Sequence, residues 1–432
     1  MQWRKVAAAT MAVALSASLL AGCGSTKTDT KSTDAAKPAE KVTLQFWAHW
    51  SSEQRRPTID KIIKTWNDAH PDIQVVYTPV PFDQIITKTL AGVAAQNPPD
   101  VVVIDAFTTQ QRASKKQVTD LSQFGADSLK DQYFAGPFSG TQYNGKTYAL
   151  PFVTDTRLLF YNKAAFKEVG LDPNNPPKTW DDLSKYADKL DKKNGDKLVR
   201  VGFHPLQGGG LDLWDQNAKA NFWNADKTQP TINSAENIKV LDWIKGWNDR
   251  YGQAAWQAFK GTFQGGANDP FITGQVAMEV NVGTFAAQIK KYKPDMEYGM
   301  VAIPTPDGQQ HNRASYSGGF SIEVPAGVKN AKQAYEFAKY LSTQAVSTWA
   351  TEQIDMPAFK AAAAGINDPT FKAMADNMAN TSFELRPLGA PDWGSALNKA
   401  QDDVMAGKAT SKAALDQAQA DVLKMLQDNK GK

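Results

Sequence analysis

Residues 100–105 read Asp100-Val101-Val102-Val103-Ile104-Asp105. Four consecutive branched apolar residues between two aspartates leave no polar face, the pattern of a central strand covered on both sides. Upstream, Asn97-Pro98-Pro99 closes a helical stretch over 82–96, and Ile73-Gln74-Val75-Val76-Tyr77 reads as another strand. Further back, Ile59, Ile62, Ile63 and Trp66 recur at helical spacing until His70-Pro71 ends the pattern. Residues 42–47 alternate Val42, Leu44 and Phe46 against Thr43, Gln45 and Trp47. Strand, helix, strand, helix, strand is α/β organisation.

The same grammar continues downstream. Asn144-Gly145 is a tight-turn pair ahead of a strand over 146–151. Thr179-Trp180-Asp181-Asp182 forms a capping box that launches a helix whose inner face is Leu183, Tyr186, Ala187 and Leu190. Gly208-Gly209-Gly210 and Gly265-Gly266 mark loops, while 275–280 and 298–303 read as strands. A helix over 331–341 and a long helical stretch over 395–426, with Leu397, Ala400 and Val404 on its inner stripe, complete the pass.

The N-terminus carries a different message. Arg4 and Lys5 precede an apolar run over 6–20 that is too short to span a bilayer, followed by Leu20-Ala21-Gly22-Cys23, which contains the only cysteine. The quartet resembles the lipobox of bacterial lipoproteins, which implies cleavage of a signal peptide over 1–22 and a lipid on Cys23. The alternative is a chance cysteine behind an ordinary signal. Residues 23–41 hold no large apolar side chain and read as a disordered tether. Removal of the signal alone leaves about 410 residues, more than one core usually organises, so two domains are expected. With 48 Lys and Arg against 45 Asp and Glu and no basic block, nucleic acid is not an expected partner. The four histidines, His49, His70, His204 and His311, match no metal spacing, so neither a metal nor another cofactor is expected. No nucleophile elbow, phosphate-cradling glycine loop or marked carboxylate pair appears, so the chain does not read as an enzyme. Twelve Trp, twenty Phe and twelve Tyr suit a protein that stacks its partner on flat rings.

Four stretches are more specific: Gly145-Lys146-Thr147-Tyr148-Ala149-Leu150-Pro151-Phe152, Thr154-Asp155-Thr156-Arg157-Leu158-Leu159-Phe160-Tyr161-Asn162-Lys163, Phe166-Lys167-Glu168-Val169-Gly170-Leu171-Asp172, and Pro176-Pro177-Lys178-Thr179-Trp180-Asp181-Asp182-Leu183. In order and spacing they resemble the extracellular solute-binding proteins of carbohydrate ABC transporters, the family that includes maltose-binding protein. The resemblance implies a fold like the type II periplasmic binding proteins: two discontinuous α/β lobes, each a mostly parallel sheet, with the ligand cleft at the hinge. It places the first lobe at 42–153 and 305–354 and the second at 154–304 and 355–432, with crossings near 152–155, 303–308 and 353–357. It further implies a monomer, held by its lipid on the extracellular face of a cell membrane of the Gram-positive type, that hands a sugar to ABC permease subunits. A secreted glycan hydrolase and a surface glycan sensor are the alternatives.

A sugar needs hydrogen-bonding groups for its hydroxyls and flat rings for its C–H faces. By the resemblance, Asp155 is a cleft carboxylate, with a hinge cap as the other reading. Trp47, His49 and Trp50 follow the first strand where one wall of the cleft would lie, although Trp47 could equally pack beneath the loop. Asp105 and Phe107 close the buried strand in the same way. Phe285 stands where the family carries a stacking tryptophan, and Trp393 matches the late tryptophan that covers the sugar from the second lobe. Arg386 could fork two hydroxyls or form a surface salt bridge. Asp212, Trp214, Asn221 and Trp223 supply suitable chemistry without a clear match, Trp214 being the choice among them. Gly318 could let backbone approach the ligand or simply bend a strand. The abundance of tryptophan favours an oligosaccharide, and no cluster of Arg and Lys near these residues points to a charged solute.

Overall fold

The computed structural model describes residues 41–383, 385–390 and 392–429. The expected signal peptide, Cys23 and the tether up to residue 40 lie outside the described residues. Nine strands build two sheets: β1 (Val42–Ala48), β2 (Ile73–Pro79), β3 (Val101–Asp105), β4 (Ala149–Thr154), β5 (Arg157–Asn162), β6 (Met278–Val282), β7 (Tyr298–Val301), β8 (Gly319–Glu323) and β9 (Met356–Pro357). The first sheet runs β9-β4-β8-β3-β1-β2 and the second β6-β5-β7.

Strand β3 is what its composition demands, with Val101, Val102, Val103 and Ile104 all essentially without exposure. It pairs in parallel with β1, which pairs in parallel with β2. The helix Arg56–Ala69 buries Ile59, Ile62, Ile63 and Trp66 against them and ends at His70. The Trp66 indole donates to the Ile73 carbonyl at 2.9 Å, fixing the helix to the strand it leads into. Asn144 and Gly145 both have positive φ, as the tight turn between Gln142–Tyr143 and Lys146–Thr147 requires. The Thr179 capping box closes in both directions with Asp182.

The expectation of mostly parallel sheets needs correction. Strand β8 lies antiparallel between β3 and β4, and β9 is antiparallel on β4. The second sheet is antiparallel on both sides of β5. The cause is connectivity. Strands β8 and β9 come from chain that returns after building most of the second lobe, so no short right-handed crossover constrains their direction. Between β4 and β5 only Asp155 and Thr156 intervene, so the chain passes straight from one sheet into the other.

Each lobe has its own core. Phe46, Trp50, Phe152, Ile322, Phe337 and Trp349 pack in the first, and Phe166, Trp214, Trp247, Leu397 and Val422 in the second. The later crossings differ from the sequence expectation. Residues 305–314 stay with the second lobe: Thr305 bridges to Thr179, Lys219 pairs with Asp307 at 2.9 Å, and the Asn217 amide donates to the Ala314 carbonyl at 2.8 Å. The change of lobe therefore falls at 317–319, not 303–308. Met356 and Pro357 pair with Thr154 and Val153, and Ala358 is buried in the first core, so the first lobe also keeps 356–358. No helix among the described residues is long and apolar enough to cross a membrane.

Under the first sheet, Arg112 and Glu323 form a pair whose side chains are 4% and 2% exposed. The Arg112 Nε donates to Glu323 at 2.8 Å, and Thr109 donates to the same carboxylate at 2.8 Å. Removing one partner strands a buried charge. Arg112→Ala should therefore lower stability by about 3–5 kcal/mol in urea unfolding at neutral pH. A loss within the range of an exposed pair, under about 1 kcal/mol, would refute the role assigned to it.

Candidate functional site

A cavity of about 790 Å³ opens where the two lobes meet, lined mostly from the second lobe, with Phe107 contributed by the first. The helix Leu211–Asn217 supplies one wall. Asp212 and Gln216, one turn apart, share the face that lines the cavity. Trp214 lies between them in sequence and so turns the other way into the core, its indole donating to the Pro205 carbonyl at 2.9 Å. A second wall is the loop of Asn221, Phe222 and Trp223. Its shape is held by Asn237, fully buried, whose amide donates to the carbonyls of Asn221, Thr231 and Ile232 at 2.9–3.1 Å. Trp393 opens the helix Trp393–Met405 and stands against this loop, tilted on Phe222 at 5.7 Å and edge-on to Trp223 at 5.8 Å.

The strands joining the lobes supply the floor, with Arg157, Tyr316 and Ser317. The Arg157 guanidinium lies 4.2 Å from the Tyr316 ring centroid and is paired with Asp155. Asp155 also accepts the Gly318 amide at 2.8 Å. A Cβ on Gly318 would come within 2.9 Å of the same carboxylate, so glycine there permits the contact. Asp155 thus orients Arg157, which reaches the cavity, and is not itself part of the wall.

Of the other sequence candidates, Phe107, Arg386 and Trp393 line the cavity together with Asp212, Asn221 and Trp223. Asp105 caps the turn that carries Phe107, accepting its amide at 2.7 Å. Burial raises the Asp105 pKa, opposed by that amide and by the Arg386 guanidinium nearby. The remaining candidates are corrected by packing. Trp50 is 1% exposed, wedged 4.0 Å from Trp349 and 5.3 Å from Phe152. Trp47 packs on the sheet against Val80, Ile85 and Val102. Phe285 is buried 5.4 Å from Phe160, in an apolar cluster beside the second sheet. His49 lies among Phe320, Phe82 and Trp50, outside the cavity lining, and burial lowers its pKa to about 4.

Sequence reasoning missed Arg157, Gln216, Lys227, Arg313, Tyr316 and Ser317. Two signals were within reach, since Arg157 follows Asp155 by two residues and Tyr316 and Ser317 directly precede Gly318. The absence of a basic cluster is also corrected. Arg157, Lys227, Arg313 and Arg386 all line the cavity, with Asp212 and Asp392 as the carboxylates. They come from four separate segments, so no run in the sequence betrays them. Arg313 donates to the Asn221 amide oxygen at 2.5 Å, and Lys227 to the Leu385 carbonyl at 3.4 Å. Asp212 faces the cavity with protein on most sides, and this enclosure raises its pKa against the Leu213 amide and Arg157.

Two lobes around a hinge, with a solute-sized cavity between them carrying rings and hydrogen-bonding groups, have the form of a solute-binding protein. The chain belongs to the bacterial extracellular solute-binding protein family, whose model matches residues 50–348. It is 26% identical over 413 residues to the sn-glycerol-3-phosphate-binding periplasmic protein UgpB of Escherichia coli (strain K12), covering 87% of this chain and 91% of that one. The solved structure of CpMnBP1 with mannotriose bound superimposes with a TM-score of 0.78 at 28% identity, over 88% of this chain and all of that one. The maltose/maltodextrin-binding domain MalE from Bdellovibrio bacteriovorus, solved with maltotriose, shares the fold at a TM-score of 0.71 and 20% identity, over 90% of this chain and 100% of that one.

Behind Asp212 sits Asp215, fully buried, with neither carboxylate oxygen hydrogen-bonded. Burial pushes its pKa up to about 8, with the Asp212 charge adding and Arg313 opposing. The folded chain therefore holds this proton where the unfolded chain has lost it, and stability falls as pH rises from the ordinary carboxylate value of 3.8 towards about 8, above which this contribution is flat. Asp215→Asn removes that dependence, so its urea midpoint relative to wild type should rise from pH 5 to pH 8.5. A constant difference across that range would remove Asp215 as the cause.

Proposed function

We propose that this chain is the lipid-anchored, non-enzymatic substrate-binding protein of an ABC importer, capturing a sugar, and by preference an oligosaccharide, between its lobes. The observation that carries the reading is the cavity's alternation of flat rings with hydrogen-bonding side chains. Trp393, Trp223, Tyr316 and Phe107 offer surfaces for C–H faces, and Asp212, Gln216, Asn221 and Asn398 offer partners for hydroxyls. Its volume of about 790 Å³ falls within the range that encloses a ligand of several rings. The named relatives are binding proteins, which supports transport over hydrolysis. Solute touching both lobes stabilises the closed form, which the permease then recognises. The lipobox-like quartet ending at Cys23 supports anchoring on the outer face of the cell membrane.

A second reading, an anionic solute such as a phosphorylated glycerol or sugar, is favoured by the four cationic side chains around the cavity. The name of the Escherichia coli relative points the same way.

The secreted chain, screened by melting temperature against mono- and oligosaccharides including mannotriose and maltotriose, and against sn-glycerol 3-phosphate, separates the two, because a ligand bound only to the folded state raises the melting point. A shift with a neutral glycan that is recovered intact supports the sugar reading. A shift with the phosphate ester alone selects the second, and shortened glycans return the hydrolase. With the solute that shifts wild type, Trp393→Ala should weaken binding at least tenfold, about 1.4 kcal/mol, by titration calorimetry. Unchanged affinity would return Trp393 to a purely structural role.

A further inference from the structure

The short helix Ala135–Gly140 belongs to the first lobe, with Phe138 1% exposed in its core. It carries two glycines one turn apart, Gly136 and Gly140, and neither has a left-handed backbone. At such helical positions alanine is the better residue, so the absence of side chains calls for another cause. That cause is Phe383. A Cβ on Gly140 would stand 2.4 Å from Phe383 Cε1 and 2.9 Å from its Cζ, and one on Gly136 would stand 3.0 Å from Phe383 Cβ. The opposite side of the ring lies against Phe107, centroids 5.0 Å apart and 29° from parallel.

Phe383 does not belong to the first lobe's sheet. It follows Thr381 and Ser382, which pair in parallel with Ser315 and Tyr316 at the hinge, and Ser382 donates to Gln216 of the cavity wall. Leu385 and Arg386, just beyond, line the cavity. The segment thus enters from the second lobe's side of the hinge, sets one ring into a notch of the first lobe, and returns. The ring also backs Phe107, the first lobe's contribution to the cavity.

We propose that Phe383, seated between the two-glycine face of this helix and Phe107, is a latch that holds the lobes together without solute and so sets the resting balance between closed and open forms. The proposal rests on the two-lobe fold and on no particular solute. Because apparent affinity scales with the populated fraction of the competent form, the latch also tunes affinity for whatever the cavity takes.

Solute-free small-angle scattering of the secreted chain tests it, alongside melting curves that report folding. For a compact chain of this size the radius of gyration is about 21 Å. Phe383→Ala and, separately, Gly140→Ala should each raise it by on the order of 1 Å while a cooperative melt is retained. The double variant should match Phe383→Ala alone, because the added methyl is harmless once the ring is gone. If Gly140→Ala does not fold, Phe383→Ala carries the test by itself. Scattering unchanged from wild type in Phe383→Ala, or a double variant more open than Phe383→Ala alone, overturns the latch.

Discussion

Three passages of chain between the lobes are knotted together by hydroxyl and amide groups, and the rest of the molecule depends on that knot. The Thr156 hydroxyl lies 2.6 Å from that of Thr381 and accepts the Asn377 amide at 2.8 Å. Ser315 exchanges hydrogen bonds with the backbone of Arg157 at 2.9 and 3.0 Å, and Ser317 meets Thr154 at 2.8 Å. All of these side chains except the half-buried Thr381 are buried, so a bond lost among them would leave a donor or acceptor without water. Their side chains are short and their partners come from passages distant in sequence, so the knot fixes where the chain crosses while leaving the lobes free to turn about it. Two large cores on either side can then be rigid without making the whole molecule rigid.

The cavity floor is built on the same passages. Asp155 stands one residue before Thr156 and Arg157 one after, so the side chains that face solute are placed by the bonds that hold the hinge. Asp155, which the resemblance marks as a ligand contact, lies just outside the cavity lining, where it is bonded to Arg157 and Gly318. Both bonds fall on Oδ1, so the second oxygen of this carboxylate keeps its acceptor capacity.

Much of the fold was legible in sequence wherever a local rule sufficed. The apolar run at Val101, the capping box at Thr179 and the Asn144-Gly145 turn each depend on neighbours within a few residues. Strand direction in β8 and β9, and the points where the chain changes lobe, depend on contacts hundreds of residues apart and left no local mark. The cavity lining was legible at Phe107, which follows the end of a buried strand, and at Trp393, which the family resemblance marked. It was illegible where tryptophan types alone were the guide, because Trp50 and Trp214 satisfy a core as well as a ligand. Helical phase would have separated Trp214 from Asp212 and Gln216, since residues 212 and 216 share a face that 214 cannot join.

The electrostatics of the wall follow from the same economy of placement. Four cations and a partly enclosed carboxylate line one cavity, and three of the cations are engaged: Arg157 with Asp155 and the Tyr316 ring, Arg313 with Asn221, and Lys227 with the Leu385 carbonyl. Groups held in this way are pre-oriented donors that lose little conformational entropy when a solute arrives. A neutral sugar would use them as hydrogen-bond donors and an anion as countercharges. Which use prevails is decided by how much of that engagement a solute must displace, and the Asp155 to Arg157 contact, tied into the hinge itself, is the one least open to displacement.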